Sequence, residues 1–234
     1  MSKINPKDFW EKKILTWESS RYGSKNQGRS SILEWFAGRA SRSLLFRRKM
    51  ALALLTPHVK NKTILEVGCG SASLAQSFID AGASFYHGSD ITDASILAAR
   101  QQAADENWSD RIRLSTGDAT ILENSEDIIL SLGVLDWLNQ SQVNALFEHQ
   151  GSNDFLHSFS EYRASPTQYL HRTYVYCAYG HKTGSYVPRY YRAQHLVNVA
   201  SKIHPGPFYI FRHPQLSFGA FFSTLPVGDK IQTC

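Results

Sequence analysis

The chain has 234 residues, of which 42% are hydrophobic and 19% charged, and its formal net charge is +5. This composition excludes a disordered protein, and the length predicts one large domain or one domain with an extension. No apolar run approaches the roughly 18 residues of a membrane span, and the N-terminus lacks the apolar stretch of a secretory signal. The 3 cysteines are far apart and fit reduced thiols, so we expect a cytoplasmic protein.

The positive charge is concentrated in the first quarter of the chain. Residues 1–60 hold 13 Lys and Arg against 4 Asp and Glu, whereas the remainder has a net charge of −4. Such a segment attracts anionic substrates, RNA or anionic membranes, and it equally fits the solvated faces of ordinary helices. Contact with a membrane surface therefore stays open. Nucleic acid is the less favoured partner, because no RNA-binding module accompanies the charge.

Three helices are predicted before residue 60. The first covers residues 8–20, the second begins at a capping box from Ser31 to Glu34, and the third runs from Ser43 to Leu55. Thr56-Pro57 ends the third helix. We expect these helices to form an N-terminal cap, residues 1–59.

After the cap, short apolar or β-branched runs alternate with helical stretches. The alternation predicts an α/β domain over residues 60–234, Rossmann-like and doubly wound, with a mostly parallel sheet covered on both faces. Two final strands flank His213-Pro214-Gln215 and predict an antiparallel C-terminal hairpin. The seven predicted strands are Thr63–Val67, Ser84–His87, Ile112–Ser115, Asp127–Leu132, Asp154–Ser160, Phe208–Arg212 and Leu216–Thr224. The predicted helices between them are Ser73–Ala81, Ala94–Asn107 and Asp136–Glu148.

A glycine turn follows the first of these strands. Gly68 and Gly70 let the backbone turn tightly and approach a ligand, and Cys69 between them is a small filler. Asp90 ends the second strand, 20 residues after Gly70, where a carboxylate can accept the hydroxyls of a ribose. The strand, the turn, the following helix and Asp90 together predict a nucleoside site.

The residues around the turn distinguish among nucleoside cofactors. A dinucleotide turn has its third glycine where this chain has Ser73, and the carboxylate of Glu66 would repel a pyrophosphate. The same carboxylate suits an ammonium group. S-adenosylmethionine carries an ammonium, a sulfonium, a ribose and an adenine, but no phosphate. After the third strand, Asp118 can accept from an adenine amino group. We therefore predict S-adenosylmethionine as the cofactor.

Four segments resemble the class I S-adenosylmethionine-dependent methyltransferases. They are ILEVGCGSAS, FYHGSDIT, LSTGDAT and DIILSLGVLDWL, in the family's order and spacing, within residues 62–138. The resemblance implies methyl transfer, with the methionine end of the cofactor at Glu66, Gly68 and Gly70, the ribose at Asp90, and the adenine at Asp118 and Ala119. Further cofactor contacts are predicted for Tyr22, Cys69, Ile91 and Ser131. One departure is Ala72, where the family often has glycine.

Two signatures bear on the acceptor. The Asn/Asp-Pro-Pro-aromatic motif of amino-directed nucleic-acid methyltransferases is absent, and this chain has Ser131-Leu-Gly-Val-Leu-Asp136 in its place. More loosely, the Phe9-Trp10 region and Val187-Pro-Arg-Tyr-Tyr191 resemble small-molecule methyltransferases of bacterial biosynthetic clusters. This looser resemblance favours a small-molecule acceptor.

Acceptor-side residues are expected after the fifth strand, because ligands of open α/β sheets gather at the carboxyl ends of strands. This predicts Glu161 and an insert at about residues 162–192, rich in Tyr, His and Arg, beside the transferred methyl group. His171 is the first candidate for a general base, with a packing histidine as the alternative. Glu161 is the second, with an ion pair to a nearby Arg as the alternative. Substrate contacts are predicted for Arg172, Tyr190 and Arg192.

No metal site is predicted, because His171, Cys177 and His181 lack a further Cys/His pair at ligand spacing. Asp136 is interpreted as the N-cap of the helix that follows it. The leading hypothesis is methyl transfer to an oxygen or nitrogen of a small metabolite, such as a sugar or glycan precursor. The alternatives are an RNA methyltransferase and a non-catalytic protein that binds S-adenosylmethionine. The oligomeric state stays open.

Overall fold

The frame of the structure, a computed structural model that describes residues 5–12, 32–108, 110–121, 125–176 and 187–231, is one eight-stranded sheet. In chain order the strands are β1 (Thr63–Val67), β2 (Phe85–Asp90), β3 (Ile112–Thr116), β4 (Ile128–Leu132), β5 (Asp154–Ser160), β6 (Phe208–Arg212), β7 (Gly219–Ser223) and β8 (Asp229–Ile231). Their order across the sheet is β3-β2-β1-β4-β5-β7-β6-β8. The first five strands are parallel, and β7 runs antiparallel between β5 and β6.

The helices lie before and between the strands. They are α1 (Pro6–Glu11), α2 (Ile32–Leu55), α3 (Ala75–Asp80), α4 (Asp93–Asp105), α5 (Gln140–Gln150), α6 (Pro166–Val175) and α7 (Ala193–Ala200). Short 3₁₀ turns are Thr56–His58, Leu135–Trp137 and Pro214–Leu216. Within the described ranges, none of these helices has the length and apolar character that a membrane-spanning segment needs.

The predicted fold class is confirmed, with differences in detail. The sheet has eight strands rather than seven, because β8 adds a short edge strand on β6. The two helices predicted between residues 31 and 55 are one continuous helix, α2. The division into a cap, residues 1–59, and a domain with an insert at 162–192 stays a prediction.

The interpretation of Asp136 as a helix N-cap is wrong. The N-cap of α5 is Asn139, whose side chain accepts from the Gln142 amide in a capping box. Asp136 instead lies in the 3₁₀ turn after β4 and is buried. Asn139 is a good capping residue only three positions later, so the spacing alone did not distinguish the two.

Hydrophobic side chains cover both faces of the sheet. One cluster includes Ala51 and Leu55 of α2 with Phe78 of α3, and a second includes Phe147 of α5 with Leu196 of α7. Parallel strands buried on both sides read as continuous apolar runs, as β4 does with Ile-Ile-Leu. This packing brings the carboxyl ends of β1, β2, β3, β4 and β5 to one edge, called here the carboxyl edge.

Helix α1 crosses the carboxyl edge. Towards β2, the Glu11 carboxylate accepts from the amides of Asp93 and Ala94, at the start of α4, at 3.0 and 2.8 Å. Towards β4, the ring of Trp10 lies 4.7 Å from that of Trp137 in the turn after that strand. Because β1 lies between β2 and β4, the helix passes over the end of β1.

Candidate active site

The turn after β1 has the backbone that its glycines allow. Gly68 has a φ of +69° and Gly70 a φ of +53°. A Cβ on Gly68 would collide with Val134, from the loop after β4. Ala72 also adopts a positive φ, +53°, with its methyl fully buried. An alanine in this left-handed conformation lowers the stability of the fold by about 1–2 kcal/mol relative to glycine, which explains why the family often has glycine at this position.

The amides of this turn are bonded to the end of β2. Those of Gly68 and Cys69 donate to the Ser89 carbonyl at 2.7 and 3.1 Å. The Gly70 amide donates to Asp90 Oδ2 at 3.0 Å. Three amides that a pyrophosphate would need are therefore already used. The turn fits a nucleoside without phosphate.

Asp90 is held at the turn by its neighbours. Its Oδ1 accepts from the amide and the hydroxyl of Thr92 at 2.9 and 2.8 Å. A carboxylate has about four lone-pair sites, so these bonds and the one from Gly70 leave room for a ribose hydroxyl. Ile91 beside it is half-buried and offers an apolar surface.

The end of β3 lies next to Asp90, since the Gly117 amide donates to its backbone carbonyl at 2.9 Å. Asp118 follows, and its Oδ1 accepts from the Thr120 amide and hydroxyl at 2.9 and 2.8 Å. Ala119 is partly buried against the core. Asp90, Asp118 and Ala119 thus lie at the ends of two adjacent strands, and their contacts with a cofactor stay a prediction.

Glu66 is buried in β1, and its Oε2 accepts from the Tyr86 hydroxyl at 2.6 Å. Burial raises the pKa of Tyr86 well above 10, so the phenol stays protonated and donates. Cys69 is buried, as a filler should be. Glu66 therefore places a buried carboxylate two residues before Gly68. This is where the sequence predicted the ammonium group of the cofactor.

Cofactor contacts are also predicted for Ser131 and Tyr22. Ser131 is fully buried, and its hydroxyl pairs with His157 Nδ1 at 2.9 Å, while His157 Nε2 bonds Gln150 of α5 at 2.7 Å. Its hydroxyl is therefore engaged within the sheet and α5, and the predicted cofactor contact of Ser131 stays a prediction. Tyr22 lies outside the described residues.

The predicted acceptor-side residues meet in one cluster. His171 Nδ1 lies 2.7 Å from the Tyr190 hydroxyl. The guanidinium of Arg172 lies 5.7 Å from the centre of the Tyr190 ring and 5.8 Å from that of Tyr162. The guanidinium of Arg192 also lies over the Tyr162 ring, 5.3 Å from its centre. Cation–π contacts therefore hold both arginines near the His171–Tyr190 pair.

The titration of this pair is set by burial. Burial lowers the pKa of His171 below 6.5, so its ring is neutral at pH 7. Burial raises the pKa of Tyr190 to about 12, with the nearby Asp136 adding to the shift. A neutral imidazole beside a protonated phenol can accept a proton from a substrate.

Asp136 is a site residue that sequence reasoning missed. Its carboxylate accepts from the Ser160 amide and hydroxyl at 2.6 and 2.9 Å, at the end of β5. Burial raises its pKa, and the charge of Arg47 opposes the shift. The Arg189 amide donates to its carbonyl at 2.6 Å and so brings Tyr190 to the carboxyl edge. Its place directly after β4 was the available signal.

Glu161 forms the ion pair that was the alternative to a general base. Its carboxylate lies 2.6 Å from Arg212 and 3.0 Å from Arg163. Burial opposes ionisation, but the two guanidinium groups prevail and lower the pKa of Glu161 below 4.5. A carboxylate held in this way is a poor proton acceptor. We therefore replace the predicted role of base with that of an anchor for the end of β5.

A surface cleft of 640 Å³ opens beside this cluster. It is lined by Glu161, Tyr162, Arg192, Ala193, Gln194, Ile210, Arg212, Asp229, Lys230 and Ile231. Three of these side chains are basic and two acidic, so the cleft combines charged groups with apolar surface. Across the described ranges, no cluster of three or more His, Cys, Asp and Glu could hold a metal ion, and Cys177 and His181 lie outside them.

Comparisons with known proteins agree with this geometry. The sequence model of the methyltransferase domain family matches residues 64–151. The structure resembles magnesium protoporphyrin IX methyltransferase from Synechocystis PCC 6803, solved with bound SAH, with a TM-score of 0.68, 16% identity, and coverage of 93% of this chain and 96% of that one. A search of curated proteins found no match to the sequence.

Two further structures share the fold. One is the N-methyltransferase NodS from Bradyrhizobium japonicum WM9, with a TM-score of 0.62, 11% identity, and coverage of 94% of this chain and 97% of that one. The other is described as a possible exported protein from Bordetella parapertussis, with a TM-score of 0.71, 14% identity, and coverage of 90% and 78%. Residues 64–151 thus match a methyltransferase domain, and the chain shares the Rossmann-like fold of these methyltransferases.

Proposed function

We propose that the chain binds S-adenosylmethionine at the turn after β1 and transfers its methyl group to an oxygen or nitrogen of a small metabolite. The Gly70–Asp90 hydrogen bond carries this proposal, because it fixes a carboxylate on a turn whose amides cannot serve a phosphate. Asp90 would take the ribose, Asp118 and Ala119 the adenine, and Glu66 the ammonium group. When bound, the cofactor supplies a methyl group activated by a sulfonium.

The chain's task at the acceptor is to orient it and remove its proton. Orientation alone is worth about 7–11 kcal/mol in favourable cases. His171 accepts the proton at Nε2 in the tautomer whose Nδ1–H donates to the Tyr190 oxygen. Tyr190 is then a positioning residue for His171, and burial, with the charge of Asp136 adding to it, raises the pKa of the phenol and keeps it protonated.

The acceptor that fits best is a polar metabolite. Arg172, Arg192 and Tyr190 present donors suited to hydroxyl and anionic groups, and the 640 Å³ cleft beside them is lined by charged side chains. A sugar or a glycan precursor has this chemistry. The N-methyltransferase NodS and the pyocyanin biosynthetic protein PhzM, which share the fold, favour a small-molecule acceptor over a nucleic acid.

Asp90→Asn tests the cofactor site. We expect calorimetry to show an affinity for S-adenosylhomocysteine about 10-fold or more below that of the wild type, because a charged acceptor is lost at the ribose. Asp80→Asn is the matched control, since Asp80 is exposed at the end of α3 and should bind as the wild type does. Absence of binding to the wild type would contradict the proposed function.

The acceptor class is tested by incubating the protein and S-adenosylmethionine with separate panels of nucleotide sugars, amines and short RNAs. Release of S-adenosylhomocysteine with the sugars or amines supports the proposal. Release with RNA alone, or with no panel while the cofactor binds, contradicts it.

A further inference from the structure

Arg47 extends from α2 to the carboxyl edge, where Gly133 makes room for it and Gly219 lies nearby. A Cβ on Gly133, directly after β4, would lie 2.6 Å from Arg47 Nη1, and one on Gly219, at the start of β7, would lie 3.7 Å from Nη2. Gly133 also has a φ of +82°. Larger residues at Gly133 would displace the guanidinium, so the local backbone is shaped to hold it in place.

One donor of this guanidinium has no partner among the described residues. Within the described part of the chain, Arg47 Nε is buried without a hydrogen-bond partner, and none of the ion pairs there includes Arg47. Asp136 lies near enough to feel its charge, but the Asp136 carboxylate accepts from Ser160. A desolvated donor without a partner destabilises the folded chain. An anion from a ligand would remove this cost.

The position of Arg47 indicates which anion. Val134, next to Gly133, touches the place where Gly68 has no side chain, so the guanidinium lies beside the glycine turn. The methionine end of the cofactor carries a carboxylate as well as an ammonium, and Glu66 suits only the ammonium. An unpaired guanidinium would also repel the sulfonium, whereas a carboxylate between the two positive charges attracts both.

We propose that Arg47 binds the α-carboxylate of the methionine moiety of S-adenosylmethionine. The inference rests on the proposed cofactor site at the turn after β1. Arginine presents two parallel N–H donors that match the two oxygens of a carboxylate, so the contact orients the methionine chain as well as holding it. It assigns a binding role to the basic N-terminal helix that the sequence motifs do not include.

Calorimetry with two ligands tests this role. S-adenosylhomocysteine carries the carboxylate, whereas 5′-methylthioadenosine has the same nucleoside and thioether without the amino acid. In Arg47→Met we expect the affinity for S-adenosylhomocysteine to fall about 10–100-fold, because a charge-assisted pair is lost, and the affinity for 5′-methylthioadenosine to be unchanged. Arg47→Lys, which keeps the charge without the fork, should fall between the two.

Lys49→Met is the matched control, because Lys49 is exposed on the same helix and loses the same charge. An equal loss in this control, or an equal loss for both ligands in Arg47→Met, would overturn the inference. So would an unchanged affinity of Arg47→Met for S-adenosylhomocysteine. Failure of the wild type to bind either ligand would refute the proposed cofactor site itself.

Discussion

His171→Gln lowers turnover by about 10²–10⁴-fold, the usual contribution of a general base, while the affinity for S-adenosylhomocysteine is unchanged. Glutamine keeps a polar side chain of similar size but cannot accept a proton at neutral pH. The measurement is the release of S-adenosylhomocysteine with an acceptor that the wild type methylates. His149→Gln is the control, because His149 is exposed at the end of α5 and should retain full turnover.

The pH profile of the wild type gives the same role a second readout. A base must be neutral to act, so the rate rises as the pH increases through the pKa of His171. Burial lowers that pKa below its usual 6.5, so the midpoint of the rise should lie below pH 6.5. In Tyr190→Phe the partner of Nδ1 is lost and the plateau should fall. Full turnover in His171→Gln would show that the acceptor loses its proton to another group.

A second large effect concerns stability in acid. His157 is completely buried between Ser131 and Gln150, and burial lowers its pKa to about 3. In the unfolded chain a histidine titrates near 6.5, so between these two values the unfolded state binds a proton that the folded state does not. Stability is therefore full above pH 6.5 and falls by about 1.4 kcal/mol per unit as the pH decreases towards the folded pKa.

Urea unfolding of the wild type and His157→Gln at pH 7, 6 and 5 measures this effect. The variant should be less stable at pH 7, because the ring packs 4.9 Å from Phe155. Its stability should depend less on pH, since the group that protonates on unfolding is gone. His171 and His204 also have pKa values lowered by burial, so the difference between the two proteins isolates His157. Equal slopes would contradict the assignment.

The glycine turn and the strand ends were predictable because their signals are local. Gly68 and Gly70 stand directly after an apolar run, and Asp90 ends the next one. Positive φ values at both glycines follow from residue type, so sequence alone indicated this half of the site. The clustering of His171, Arg172 and Tyr190 followed from a topological rule, that ligands gather at carboxyl ends.

Other features of the fold and of the candidate site were not predictable, because they depend on contacts between distant parts of the chain or on weak local patterns. Strand β4 is buried on both faces, so alternation could not indicate which side Ser131 faces. Arg47 reaches Gly133 from 86 positions away in the chain, and nothing near Arg47 marks that contact. Strand β8 is three residues long and largely exposed, so it lacks the apolar pattern of a strand.

Helix α1 has a consequence for how fast a bound nucleoside could leave. It passes over the end of β1 and is attached on one side by Glu11 and the Lys7–Asp93 ion pair, 2.8 Å long, and on the other by Trp10. A ligand on the turn would be covered by this strap, so its residence time would reflect how often these contacts open. Exposed ion pairs weaken as ionic strength rises, and salt would therefore hasten release more than it reduces capture.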